Sequence, residues 1–88
     1  MTQPQGIRVQ TVRYSFAYVW QHDSLIAIME RSGFTGEWQG YLYRGAKNEH
    51  GSKLFTGPRI NTQRKTPNAA GKVVAQAAQD YWDERNAA

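Results

Sequence analysis

Residues 11–20 (TVRYSFAYVW) contain the pattern that decides which fold this chain can adopt. Every second position holds a bulky side chain: Val12, Tyr14, Phe16, Tyr18 and Trp20. The positions between them are Arg13, Ser15, Ala17 and Val19. A period of two in aromatic and β-branched residues is typical of a β-strand, whose successive side chains point to opposite faces of a sheet. The stretch therefore predicts one long strand with its aromatic residues on a single face.

Three more strands are predicted after this one. A turn at residues 21–24 leads into residues 25–30, and so short a connection makes the two strands an antiparallel hairpin. Residues 38–44 (WQGYLYR) predict a third strand, in which Gly40 indicates a bulge or a close backbone approach. Residues 53–56 predict a short fourth strand that ends at Gly57 and Pro58, because proline cannot donate a hydrogen bond to a neighbouring strand.

The C-terminal part of the chain predicts one helix over about residues 67–85. Thr66 suits the N-cap and Pro67 suits the first helical position, where a missing N–H costs nothing. Apolar residues recur at helical spacing: Ala70, Val74, Ala77 and Tyr81, with Val73, Ala78 and Trp82 beside them. One helix can cover only one face of a sheet, so the other face must be solvated or hold a partner.

The sequence thus predicts an α+β fold: an antiparallel sheet of four strands, or at least three, packed on one C-terminal helix. We expect residues 1–10 to be a flexible N-terminal tail and residues 11–88 to be a single domain. The 88 residues include no cysteine and no apolar run near the ~20 residues of a membrane span. A cytoplasmic protein of bacterial or phage type, without contact to a membrane, is the expectation.

Motifs for catalysis and metal binding are absent from the sequence. His22 and His50 both fall in predicted turns, and no HExxH, Walker A or GxGxxG pattern occurs. Two histidines without cysteine make a poor zinc set. Asp80, Asp83 and Glu84 lie close together, but a solvated helix face explains them better than a catalytic pair. We expect no enzyme activity, no metal and no cofactor.

Positive charge is concentrated in one part of the chain. Residues 38–79 contain seven cations and one acid, a net charge of +6, so the rest carries −2 of the overall +4. Four of these cations surround the start of the predicted helix: Arg59, Arg64, Lys65 and Lys72. A helix dipole disfavours cations at its N-terminus, whereas the same end attracts phosphate. The arrangement suits a polyanionic partner, although ordinary solubility charge and compensating tertiary packing remain alternative explanations.

The third predicted strand adds aromatic residues to this charge. Gln39, Tyr41 and Tyr43 alternate with Trp38, Leu42 and Arg44, so one set should face the helix and the other the open face. Exposed tyrosines next to Arg44 and Lys53 would be able to stack on bases, but packing alone would also explain them. The pattern does not show which set is exposed.

Three consecutive segments, EWQGYLYRG, GSKLFTGP and TQRKTPNAAGKVVAQAAQDYW, resemble the strand–strand–helix half of AP2-type and integrase arm-binding DNA-binding domains. In that family a three-stranded antiparallel sheet packs on one helix and inserts into the DNA major groove. The resemblance implies base-facing residues on the third and fourth strands, at Gln39, Tyr41, Tyr43, Lys53 and Phe55. The long first strand and the polar loop at residues 45–52 depart from the family pattern.

Two functions are compatible with these observations. The first is a small non-enzymatic nucleic-acid-binding protein of phage or mobile-element type, with DNA favoured over RNA. Its binding residues would be Arg44, Lys53, Arg59, Arg64, Lys65, Lys72, Gln39, Tyr41 and Tyr43. The alternative is a protein–protein interaction module, such as a phage-type inhibitor or a homodimer, that uses an exposed aromatic sheet face.

Overall fold

The computed structural model describes residues 3–87, which form five strands followed by one helix. The elements are β1 (Ile7–Arg13), β2 (Phe16–Gln21), β3 (Ser24–Arg31), β4 (Trp38–Lys47), β5 (Lys53–Asn61) and α1 (Pro67–Ala87). The strands form one sheet in chain order, and every neighbouring pair is antiparallel. The predicted α+β class, antiparallel sheet and C-terminal helix are confirmed. The number of strands is five, where the sequence predicted four.

The extra strand arises because the predicted long first strand is a hairpin. Tyr14 and Ser15 form a tight turn, and Arg13 pairs directly with Phe16. A shift in register between Thr11 and Arg13 adds a bulge just before this turn. The turn was missed because neither of its residues is glycine, proline, asparagine or aspartate, and both fit the alternation around them.

The first strand also begins earlier than predicted. Residues 7–10 were expected in a flexible tail, but they pair with the last part of β2, where Ile7 faces Gln21 and Gln10 faces Tyr18. Met1, Thr2 and Ala88, which belong to the predicted tail and domain end, lie outside the described residues.

The fifth strand continues through the residues predicted to end it. Gly40 pairs with Ile60 and Leu42 pairs with Thr56. Between these two pairs, β5 therefore advances by four residues while β4 advances by two. The surplus residues around Gly57 and Pro58 bulge outward, and Gly57 adopts a φ of +93°. Because β5 is an edge strand, the N–H that proline lacks is not needed by another strand.

Small residues bring α1 close to the sheet. Ala17, Val19, Ala27 and Met29 are buried on the helix-covered face, together with Trp38 and Leu42. A Cβ at Gly40 would overlap the side chain of Val74, so the predicted close backbone approach is confirmed, and its cause is the helix. Helix residues buried in this interface are Ala70, Gly71, Val74, Ala75 and Ala78. The predicted stripe is therefore rotated slightly, with Ala77 and Tyr81 only half-buried.

The start of α1 follows the sequence prediction. The Thr66 carbonyl accepts a hydrogen bond from the Ala70 N–H at 3.0 Å, and its Oγ1 accepts one from the Ala69 N–H at 3.4 Å. This is the pattern of an N-cap residue, and Pro67 is the first residue of the helix. No helix among the described residues is both long and apolar enough to cross a membrane.

Candidate nucleic-acid interface

The face of the sheet opposite α1 carries a row of aromatic side chains on β2. Phe16, Tyr18 and Trp20 are half-buried and pack edge to face, with ring centroids 5.3 Å apart for the first pair and 6.5 Å for the second. Ile28 on β3 pairs with Tyr18 on one side and with Tyr41 on the other, which extends the apolar surface across the sheet. No helix or other strand described between residues 3 and 87 covers this face, so the rings border solvent.

Side chains of β1 border this row. The guanidinium of Arg8 lies 5.3 Å from the ring centroid of Trp20, and that of Arg13 lies 5.7 Å from the centroid of Phe16. Between them, Gln10 Oε1 accepts a 2.9 Å hydrogen bond from Trp20 Nε1. Cations over aromatic faces are attracted by the ring quadrupole. The row therefore has one arginine at each end and an amide that fixes the orientation of its largest ring.

The charge of the sheet is strongly one-sided. The five strands contain seven cations and a single acid, Glu30 on β3. Within residues 3–87 the only ion pair shorter than 4.0 Å joins Glu49 to His50, so none of the arginines and lysines there has a carboxylate partner. Unneutralised positive charge beside exposed aromatic rings is the combination that single-stranded nucleic acids bind.

The residues before α1 hold further cations in place. The backbone carbonyl of Arg64 accepts a 2.9 Å hydrogen bond from the Trp38 N–H, while Thr62 Oγ1 donates to the Trp38 carbonyl at 2.7 Å. This buried threonine fastens the segment to the start of β4. The side chains of Arg64 and Lys65 are exposed beside the helix N-terminus. The predicted cations Arg59 and Lys72 are also exposed, on β5 and on the second turn of the helix.

Two other predicted cations lie at the opposite end of the helix. The Arg44 guanidinium stacks over Tyr81 at 4.9 Å and packs against Gly57, and its Nε is buried. Lys53 Nζ donates to the Leu25 carbonyl at 3.1 Å. Tyr81 follows Thr66 by 15 residues, or roughly 22 Å along a helix axis at ~1.5 Å per residue. The structure therefore separates the predicted basic residues into two groups rather than one continuous patch.

The polar and aromatic residues predicted on β4 are divided in the same way. Gln39 and Tyr41 lie on the open face, where Gln39 pairs with Glu30 and with Asn61. Tyr43 belongs instead to a cluster at the far end of the sheet, 6.3 Å from the Phe55 ring, 6.5 Å from the Trp82 ring and 4.7 Å from Lys53 Nζ. Gln39 and Tyr41 are thus the predicted residues nearest the aromatic row of β2.

Sequence reasoning missed the β1 and β2 residues of this interface: Arg8, Gln10, Arg13, Phe16, Tyr18 and Trp20. The alternation of the aromatic residues was visible, but their exposure was not. A usable signal was present, because the small residues Ala17, Ala27 and Gly40 share the opposite face and the helix is itself rich in alanine. Small residues on both partners allow close helix–sheet packing, and the aromatic side chains are then left on the other face.

The described residues contain no group of three His, Asp or Glu side chains that would be able to hold a metal ion. A groove of about 690 Å³ lies between the N-terminal segment and α1. Its lining includes Pro4, Ile7, Lys72, Ala77 and Asp80. One lysine and one aspartate on an otherwise mostly apolar wall do not form a recognisable catalytic set.

Comparisons with known proteins add no relative of this chain: no family model, no curated protein and no solved structure matches it. The resemblance to AP2-type and integrase arm-binding domains therefore stays a prediction from the sequence pattern.

Proposed function

We propose that this protein binds nucleic acid without catalysing a reaction, through its open sheet face and the cations beside the α1 N-terminus. One observation carries the proposal: the sheet has seven cations against one acid, and no carboxylate of residues 3–87 lies within 4.0 Å of any of these cations. A polyanion supplies the missing negative charge at many points at once. A cytoplasmic protein of phage or mobile-element type fits this role.

The helix N-terminus adds to the same field. The positive end of its dipole attracts anions, and the side chains of Arg64 and Lys65 are exposed beside it. Because Thr62 fixes the backbone of this segment to β4, the main chain at Arg64 and Lys65 is held next to the helix, and both side chains are exposed. Phosphate contacts of this kind set the position of a nucleic acid without reading its sequence.

The proposal predicts steeply salt-dependent binding. If Arg59, Arg64, Lys65 and Lys72 each neutralise one phosphate of duplex DNA, the slope of log K against log salt should be roughly −3 to −4, from ~0.9 per contact. The measurement is a titration of labelled duplex and single-stranded oligonucleotides at several salt concentrations. No detectable binding to either at about 50 mM salt and tens of micromolar protein, generous conditions for a non-specific binder, would end the proposal.

A double neutralisation locates the contacts. The variant Arg64→Gln/Lys65→Gln should make the slope shallower by about 2, by the same counting of released counterions. A matched control, Lys47→Gln/Arg85→Gln, removes the same charge from exposed positions in the β4–β5 hairpin and at the helix C-terminus. Equal changes in slope for the two variants would show that net charge, and not this segment, determines binding.

The uncovered aromatic face also favours a second function, a protein–protein interaction module or a homodimer. Phe16, Tyr18 and Trp20 form an apolar centre of the type found at interfaces, and β1 leaves a free strand edge next to it. An apolar interface responds little to salt, in contrast to counterion release. A salt-insensitive dimer in sedimentation or light scattering, together with no nucleic-acid binding, would favour this function.

A further inference from the structure

We infer that the open face takes a single strand of nucleic acid, with unpaired bases stacked on the β2 row of Phe16, Tyr18 and Trp20. This inference rests on the proposed function and adds the form of nucleic acid and the residues that hold it. Three features of the sheet favour a single strand: its width, the spacing of its aromatic rings and the side on which its cations lie.

The sheet is too wide for its face to enter duplex DNA. Five strands at ~4.8 Å spacing place β1 and β5 about 19 Å apart, whereas the major groove is about 12 Å wide. A three-stranded sheet, at about 10 Å, would fit such a groove. The β1–β2 hairpin carries the aromatic row, but β3 pairs with β2 from Phe16 to Gln21, so this hairpin cannot enter a groove apart from the rest of the sheet.

Ring spacing also selects unpaired bases. The centroids of the row are 5.3 Å and 6.5 Å apart, whereas successive bases of a duplex strand are ~3.4 Å apart. Bases can occupy successive rings only after they separate from one another, which a duplex resists and a single strand allows. Stacking of this type tolerates any base, because every base has a π face.

Charge defines the path of the strand across the sheet. Arg8 and Arg13 both come from β1 and lie at the two ends of the row, whereas Glu30, the acid of the sheet, lies on β3. The phosphates therefore follow β1, and the bases extend over β2 towards Ile28 and Tyr41.

Binding exchanges partners at Trp20. In the free protein the Arg8 guanidinium covers one face of the Trp20 indole. An incoming base takes that face of the ring, and the guanidinium moves to a phosphate. The hydrogen bond from Trp20 Nε1 to Gln10 holds the ring in place during this exchange. The indole thus changes its environment whenever a base is bound.

The test compares oligo-dT and oligo-U of about 12 nucleotides with a duplex of the same length at fixed salt, using tryptophan fluorescence and anisotropy. We expect tighter binding to at least one single strand than to the duplex, with a fluorescence change. Trp20→Ala should weaken single-strand binding by roughly 5- to 100-fold, the range found for loss of one base–aromatic stack. Phe34→Ala removes a fully exposed ring from the β3–β4 loop and should leave the affinity for the single strand unchanged.

A second variant covers the case in which Trp20→Ala does not fold. Trp20→Phe keeps an aromatic ring, so it should retain most of the binding. It should lose most of the fluorescence change, because Trp38 is buried on the other face and Trp82 lies on α1 beside Tyr43 and Tyr81, away from the row. Equal affinity for duplex and single strand, or a fluorescence change that survives Trp20→Phe, would overturn the inference while leaving the proposed function intact. Absence of binding to every oligonucleotide at about 50 mM salt would overturn both.

Discussion

The two faces of the sheet differ in polarity and in the size of the side chains at the points where α1 approaches most closely. The face under α1 has small residues at the points of closest approach, among them Ala17, Ala27 and Gly40. The open face carries the larger aromatic residues Phe16, Tyr18 and Trp20, along with Tyr41. Burial of the most apolar area would place the aromatic residues under the helix. The observed arrangement places them where a partner can reach them.

This difference indicates that the two faces serve different purposes. A helix rich in alanine packs closely on a sheet face where small residues lie beside the larger Met29, Trp38 and Leu42, and this packing stabilises the domain. The open face is stabilised instead by edge-to-face ring contacts and by arginines over the rings, which single substitutions can change without opening the core. We therefore expect substitutions under the helix to change stability and substitutions on the open face to change binding.

The largest effect is expected from Val74→Asp. Val74 lies on the side of α1 that packs against Gly40, and its side chain is fully buried. A carboxylate at this position would have neither an ionic partner nor water around it. The domain should lose its cooperative thermal transition, measured by circular dichroism. Lys72→Asp places the same side chain on the exposed side of the helix, and this variant should keep its cooperative thermal transition. A cooperative melt in the Val74→Asp variant would contradict the observed orientation of the helix.

A smaller effect is expected from Gly40→Ala, which adds one methyl group under the helix. The new Cβ would overlap the Val74 side chain, so either the helix or the strand must move. Overpacking of this kind costs about 1–3 kcal/mol, measurable as a lower urea midpoint at unchanged m-value. Gly33→Ala is the matched control, because nothing lies within 4 Å of its added Cβ. Equal midpoints for the two variants would show that the helix does not approach the sheet as closely as described.

Val74 and Gly40 also show which parts of the fold can be predicted from the sequence. The cap at Thr66, the helical stripe around Val74 and the close approach at Gly40 were all predictable, because each depends on residues near one another in sequence or on a specific residue type. The Tyr14–Ser15 turn was not, because ordinary residues adopt a tight turn when the pairing of β1 with β2 stabilises it. The alternation does not mark this turn, because it continues unbroken from Val12 through Tyr14 to Trp20.

The candidate interface was predictable only in part, for the same reason. The exposed cations at Arg64 and Lys65 were found from their place before the helix, which is a local property. The contribution of Arg8 depends on its register with Trp20, twelve residues away, and a one-residue slip would place it on the opposite face. The separation of Arg44 from Lys65 likewise results from the length of α1 and its path across the sheet.

The smallest expected effect concerns the helix terminus rather than either face. Lys65 immediately precedes the N-cap Thr66, so its charge opposes the helix dipole, and Lys65→Gln should stabilise the domain by a few tenths of a kcal/mol, up to ~1. For a domain of this size this corresponds to about 1–8 °C in Tm. Lys47→Gln makes the same substitution at an exposed lysine of the sheet, lowers the net charge equally and should leave Tm nearly unchanged. Because the dipole interaction is screened by salt, the difference between the two variants should shrink as salt is raised. If Lys65→Gln instead lowers Tm relative to Lys47→Gln, the lysine stabilises the fold through a contact of its own, and its place before the helix would no longer point to an anionic partner.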